Sequence, residues 1–291
     1  MRRRDFAGFV ASATAAGLSA GCSRPDDYAP PAGPPVPRKG NLKQSAMRGV
    51  FDPSMSLDRM CREAARLGCK AFDFASPREL PTLGKYGLIS SLYPADAGIV
   101  GMNREERHDR LEKIVRRVIG DAAAHQIPDV LCTAGSRKGL SDERGADHCV
   151  AFFNRVKRYA EQSGITLCME ILNSKYDHPG EMCDHVAWAV EVCKRVNSPR
   201  VKLLFDIYHV QIMDGDVCEH IRANFPWIGH FHTGGVPGRH EIDETQELNY
   251  RFIAKTILEL GYTGYIAHEY HPAAGRDPIQ SLDHAVSIMD V

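Results

Sequence analysis

The sequence has no surplus of either charge, with 36 Lys and Arg against 37 Asp and Glu. That balance offers no basic field for a phosphate backbone, so nucleic acid is not an expected partner. The CxxC spacing of zinc ribbons and redox pairs is also missing. The nine cysteines, an odd number, fall mostly inside apolar periodic segments. Cys61, Cys69, Cys149, Cys168, Cys183 and Cys193 read as small buried hydrophobes rather than a disulfide framework. The N-terminal apolar stretch from Phe9 to Ala20 is too short to cross a bilayer as a mature helix. Large apolar residues are nearly absent from residues 23–40, where six prolines occur. Such a segment cannot bury enough surface to fold and is expected to be an extended tether.

What is present before that tether looks like an address. Arg3-Arg4-x-Phe6 is the core of a twin-arginine export signal, and the short apolar stretch follows it. Leu18-Ser-Ala-Gly-Cys22 resembles a lipoprotein cleavage box with Cys22 as the acylated first residue, although Ser19 stands where a larger aliphatic residue is usual. Cleavage near Ala20 or Gly21 without lipid is the alternative, and a frayed basic N-terminus of a cytosolic protein is the plain one. The expected organisation is an export signal at 1–22, a Pro-rich linker at 23–40 and one catalytic domain at 41–291. The expected location is the periplasm or, through a lipid on Cys22, the membrane surface. Export in the folded state suits buried thiols and would let the cytosol choose a metal.

From Asn41 onward, short apolar runs alternate with amphipathic helical patterns, which argues for βα repeats around a parallel sheet. Strands are expected at Gln44–Arg48, Ala71–Phe74, Gly87–Leu92, Asp129–Thr133, Thr166–Glu170, Val201–Asp206, Trp227–His232 and Gly264–His268. Helices are expected at Ser56–Leu67 with Ser56 as cap, Arg104–His125, Asp142–Ser163 with Gly164 at C′, Asp184–Val196, Asp216–Asn224 and Thr245–Leu260, with a closing helix from Pro278. Eight strand candidates in about 250 residues predict an α/β fold, a (β/α)₈ TIM barrel.

Four of those strands stop at a metal-ligating type of residue: Glu170, Asp206, His232 and Glu269. In such a barrel the carboxyl ends of the strands converge on one mouth, so three carboxylates and an imidazole would meet there. That donor set suits one divalent cation, with Mg, Mn or Co expected and Zn an alternative. Each residue has a plainer reading. Glu170 could sit in water, Asp206 could cap a helix, and His232 could be a satisfied core histidine. Against a cap at Asp206, Ile207-Tyr-His209 does not read as a helical turn. His230 shares a face with His232 one layer deeper and is expected to support it. Two glutamates with a hard cation fit hydrogen transfer between adjacent carbons of an α-hydroxy carbonyl, Glu170 and Glu269 moving the protons.

Together, Glu170-Ile-Leu-Asn173, Phe205-Asp-Ile-Tyr-His209-Val-Gln, Gly229-His-Phe-His232, Val236-Pro-Gly-Arg239-His-Glu241 and Glu269-Tyr270 resemble the hydroxypyruvate isomerase branch of the xylose isomerase-like barrels. The resemblance implies one metal on Glu170, Asp206, His232 and Glu269, with the two glutamates as acid and base. It also implies that His209 and Arg239 touch substrate oxygens, that Glu241 orients Arg239 and that Asn173 buttresses the loop behind Glu170. One departure is informative: that branch carries glutamine where this chain has His232, whereas the ketose 3-epimerases carry histidine. The expected activity is therefore isomerase or epimerase chemistry on a small ketose, keto-acid or keto-sugar through an enediolate. A lyase or dehydratase with the same site is the nearest alternative, and a non-catalytic, lipid-anchored sugar-binding protein the next. A family-two endonuclease would need more ligands at the first four strand ends. Pairing as a homodimer is the expected assembly, and substrate choice is assigned to the loops 93–104, 135–144 and 175–182.

Overall fold

A computed structural model describes residues 33–93 and 99–291. The signal and lipid-anchor expectations at 1–22, and the first part of the linker, lie outside the described residues. Residues 36–41 run without regular structure along the barrel. Val36 N–H donates to Arg66 O at 2.8 Å, and Asp290 accepts from the N–H of Lys39 and Gly40 at 2.8 and 2.9 Å.

The strands are β1 (Lys43–Ala46), β2 (Ala71–Phe72), β3 (Ile89–Ser90), β4 (Leu92–Tyr93), β5 (Asp129–Cys132), β6 (Thr166–Glu170), β7 (Val201–Asp206), β8 (Ile228–Thr233) and β9 (Tyr265–His268). All pair in parallel, in the order β3-β2-β1-β9-β8-β7-β6-β5-β4. Only Ser91 separates β3 from β4, so these two are one broken strand and the sheet has eight positions around a barrel. The expected TIM barrel is the observed fold, as one domain.

Around it lie α1 (Leu57–Leu67), α2 (Leu80–Gly84), α3 (His108–Ala124), α4 (Asp142–Ser163), α5 (Val186–Val196), α6 (Ile207–Met213), α7 (Val217–Asn224), α8 (Tyr250–Glu259) and α9 (Pro278–Met289). Local chemistry sets their ends. Ser56 Oγ accepts from Arg59 N–H at 3.3 Å to start α1, and Gly164 closes α4 at φ 72°.

Several expectations need correction. Two short helices, α2 and α6, have too few residues for periodicity to reveal them. The case against a helix after Asp206 fails: its Oδ1 accepts from the N–H of Tyr208 at 2.8 Å and His209 at 3.3 Å, capping α6. The helix expected from Thr245 begins at Tyr250, because Asp243 Oδ1 takes the N–H and hydroxyl of Thr245 and holds a turn there.

Two apolar layers follow from strand alternation. The outward side chains, among them Phe205 and Phe231, pack against the helices in one continuous core. Inside the barrel, Leu92, Cys168 and Leu204 form a small separate cluster with Phe74 and Leu131 against it. A bulge at Gly229 re-registers β8 against β7, and a side chain there would meet Lys202 Cβ at 2.9 Å and Cys168 Sγ at 3.1 Å. The eight cysteines among the described residues are unpaired and all but Cys218 are buried, as expected of small hydrophobes.

Phe231 is fully buried between Phe205 (ring centroids 5.8 Å) and Tyr262 (4.9 Å), while its chain neighbours His230 and His232 face the lumen. Phe231→Ala is expected to cost about 3–5 kcal/mol. Urea unfolding followed by circular dichroism would measure it, and a loss below about 1 kcal/mol would contradict this packing.

Candidate active site

At the carboxyl ends of β6, β7, β8 and β9, four side chains meet. Glu170, Asp206, His232 and Glu269 each offer one ligand atom, and those atoms all lie within 4.8 Å of one another. His232 Nδ1 stands 2.5 Å from Glu269 Oε2 and 3.8 Å from Glu170 Oε1. The closer contact does not have hydrogen-bond geometry; both atoms are buried without a hydrogen bond, although the Arg239 guanidinium forms an ion pair with Oε2. Two acceptor atoms directed into one small space are what a shared cation would require.

The same site gathers other unanswered polar atoms. Thr133 Oγ1, His209 Nε2 and Arg239 Nε are also buried without hydrogen bonds, so five of the eight such side-chain atoms among the described residues are here. Thr133, His209, Arg239 and Glu269 line a cavity of ≈ 330 Å³, together with Phe74, Val100 and Glu170, among others. Buried polar groups are rarely left alone, and a cluster of them beside a cavity marks where a ligand binds.

Arg239 enters from the loop after β8. It has φ 56°, a left-handed conformation uncommon for arginine, and the turn is closed by Arg239 N–H donating to Gly235 O at 2.8 Å. Its Nη2 lies 2.7 Å from Asp206 Oδ2 and 2.8 Å from Glu269 Oε2, with the guanidinium 5.0 Å from the Tyr208 ring. Glu241, expected to orient Arg239, does not touch it. That carboxylate accepts from Ala273 N–H at 3.2 Å and from Ser281 Oγ at 3.1 Å, bracing the next loop instead.

Charge explains the pKa directions. Three carboxylates and one guanidinium leave two negative charges, the amount one divalent cation cancels. Burial, with Glu269 and Asp206 nearby, pushes the Glu170 carboxyl up to about 8. Burial would raise Glu269 too, but Arg239 and His232 outweigh it and hold that carboxyl down to about 2. Burial disfavours charge on His232, yet Glu269 and Asp73 carry its pKa well above the usual histidine value. The donor set of three carboxylates and one imidazole fits one divalent cation.

Asp73 is the residue that sequence reasoning missed. It lies in the barrel lumen just past β2, wholly buried. Its Oδ1 accepts from Ser45 Oγ at 2.7 Å and from Ser91 Oγ. Its Oδ2 faces His230 Nε2 at 2.9 Å and His232 Nε2 at 3.2 Å. The proton of His232 therefore belongs on Nε2, and the Nδ1 lone pair points into the four-residue cluster. His230 supports this from the layer below, as expected, with Nδ1 3.0 Å from Asp129 Oδ2. Burial opposes its charge, but Asp73 and Asp129 carry it up to about 9. A carboxylate flanked by two phenylalanines just past a two-residue strand has no sequence signal beyond being an acidic residue at a strand end.

Of the loops assigned to substrate choice, Val100, His178 and Glu181 reach the cavity wall. Asn173 Oδ1 accepts from the N–H of Tyr176 and Asp177, both at 3.0 Å, and so buttresses its loop.

Against known proteins, residues 61–289 match the model of the xylose isomerase-like TIM barrel family. A 2-oxo-tetronate isomerase of Cupriavidus necator is 39% identical over 116 residues, which is 40% of this chain and 44% of that protein. The chain thus spans less than half the length of that relative. A 2-oxo-tetronate isomerase of Pectobacterium atrosepticum is 28% identical over 239 residues, 77% of this chain and 89% of that protein. The crystal structure of an AP endonuclease, family 2, from Brucella melitensis superposes with a TM-score of 0.71 at 28% identity, covering 83% of this chain and 96% of that one.

Asp73→Asn leaves an amide that cannot accept from both histidines through the same charged oxygen. It is expected to weaken Mn²⁺ binding by about 10–100-fold, measured by calorimetric titration with circular dichroism as the folding control. Unchanged affinity in a folded variant would remove Asp73 from the support of the site.

Proposed function

We propose that this chain, which belongs to the xylose isomerase-like TIM barrel family, is a divalent-metal-dependent isomerase or epimerase of a small ketose, keto-acid or keto-sugar. The observation that carries this reading is the convergence of Glu170, Asp206, His232 and Glu269, with neither His232 Nδ1 nor Glu269 Oε2 hydrogen-bonded, beside an open cleft. When bound, a divalent ion there would supply positive charge to two adjacent substrate oxygens as negative charge develops on them.

The protein's own groups account for the rest. Glu170 and Glu269 flank the cavity and are the groups placed to take a carbon-bound proton and to return one. Arg239, tied to Asp206 and Glu269, keeps one buried N–H free for a substrate oxygen, and His209 offers another. Phe74 and Leu172 form an apolar wall beside the reacting centre, with the exposed Val100 also lining the cavity. The relatives named as 2-oxo-tetronate isomerases support a substrate with a keto group beside a hydroxyl-bearing carbon. A lyase outcome would begin with the same proton removal and differ only in its product. Endonuclease chemistry is disfavoured, because the carboxylate past β2, Asp73, is saturated by four contacts within the protein. On the reading of residues 1–22, the enzyme would work outside the cytoplasm.

Two measurements test this. Calorimetric titration of Mn²⁺ into the chelator-stripped protein is expected to give one site per chain, greatly weakened in Asp206→Asn. No site in the wild-type protein would overturn the metalloenzyme reading. With hydroxypyruvate and a panel of ketoses, solvent deuterium should enter the substrate at carbon. Glu170→Gln should reduce that exchange by about 100-fold or more while substrate binding changes far less. Near-normal exchange in Glu170→Gln would remove Glu170 from proton transfer.

A further inference from the structure

His209 stands in the cavity wall with one ring nitrogen answered and the other free. The residue that answers it is Asn173, three positions beyond Glu170. Asn173 Oδ1 accepts two backbone N–H groups, from Tyr176 and Asp177, each at 3.0 Å. An amide atom that accepts twice must be the oxygen, so the orientation of this side chain is set by its neighbours. Its Nδ2 lies 2.9 Å from Asp177 Oδ2 and 2.7 Å from His209 Nδ1. Both amide hydrogens are thereby used, one on a carboxylate and one on the ring. A hydrogen directed at Nδ1 requires a lone pair there, which leaves the ring proton on Nε2.

The free end then faces the site. His209 Nε2 is buried and has no hydrogen-bond partner. Its nearest carboxylate oxygen, Asp206 Oδ2, lies at 3.5 Å, outside hydrogen-bond geometry. The ring cannot turn away easily, because Tyr208 and His178 stand edge-on to it at 5.1 and 5.4 Å. Asp177 is itself fixed by Tyr208 Oη at 2.9 Å, so the amide is held at both ends.

We propose that Asn173 is a positioning residue that locks His209 in the Nε2–H tautomer, so that the ring presents a hydrogen-bond donor to the substrate oxygen that gains negative charge. Held this way, His209 has no lone pair facing the cavity and cannot be the base, which leaves proton abstraction to the two glutamates. The substrate half of the proposal rests on the function proposed above; the tautomer half does not. The contrast with His232 shows how the two imidazoles acquire opposite roles. Asp73 takes the N–H of His232 and leaves a lone pair facing the site. Asn173 gives an N–H to His209 and leaves an N–H facing it.

Nitrogen NMR of the full-length, metal-free protein labelled in its histidine rings tests the tautomer directly, with His209 assigned by loss of its signals in His209→Gln. The expected wild-type pattern is a protonated Nε2 and a bare Nδ1 at neutral pH. Asn173→Asp keeps an oxygen for the Tyr176 and Asp177 N–H groups but replaces the donor to Nδ1 by an acceptor. The ring proton is then expected to move to Nδ1, or a second proton to join it there. Should that variant misfold, Asn173→Ala removes the donor to Nδ1 together with the acceptor for the two backbone N–H groups, and is expected to give a mixture of tautomers. A wild-type proton on Nδ1, or a pattern unchanged in a folded Asn173 variant, would overturn the proposal. With a turned-over substrate, Asn173→Asp should lower kcat roughly 100-fold with little change in KM. A correct tautomer in a protein without metal or turnover would defeat the proposed function and leave the positioning role standing.

Discussion

The arrangement depends on one carboxylate, that of Asp73, set in the lumen of the barrel. TIM-barrel lumens are usually packed with branched apolar side chains. Here the small cluster of Leu92, Cys168 and Leu204 shares the lumen with a hydrogen-bonded column of Ser45, Ser91, Asp73, His230 and Asp129. Burial alone would raise the Asp73 carboxyl, but the charge on His230 and the N–H groups of both histidines overrule it and hold it well below the usual range. A buried carboxylate with every oxygen engaged stabilises one geometry and opposes the others. The geometry it selects is the one that turns His232 Nδ1 toward Glu170, Asp206 and Glu269.

Above that column the site carries more negative charge than it can hold alone. Arg239 offsets part of it by bridging Asp206 and Glu269, and it adopts a left-handed backbone conformation to do so. Burial and the neighbouring carboxylates raise the Glu170 carboxyl, and, against burial, Glu269 and Asp73 raise the His232 imidazole. Asp206 serves two ends of this arrangement: Oδ1 caps α6, and Oδ2 faces Arg239. A helix cap and a candidate ligand are thus the same residue, and the cap fixes the direction in which Oδ2 points.

The barrel was legible because its signal is repetitive. Eight apolar runs separated by helical periodicity mark positions that any parallel barrel must bury, and every expected strand has a counterpart. Where a segment is short the signal fails. The helix α2, the helix α6 and the break at Ser91 each involve too few residues for periodicity to register. Thr245 misled for a different reason: an Asp243 side chain, not the backbone, decides where α8 begins. Among the candidate site residues, Glu170, Asp206, His232 and Glu269 were recognisable because each ends an apolar run. Arg239 and His209 were recognisable only through the family resemblance. Glu241 was misassigned because proximity in sequence to Arg239 says nothing of where its carboxylate points.

What the sequence by itself determined is periodic and local: the number and order of strands, the capped helix ends and which residues stand at strand ends facing one mouth. Only the tertiary structure decided which atoms of those residues are free. Asp73 is far from His232 in the chain, and Asn173 reaches His209 from a neighbouring strand end. Whether an imidazole offers a lone pair or an N–H depends on what its other nitrogen meets, and that neighbour is set by how strands lie side by side. No spacing along one chain records it.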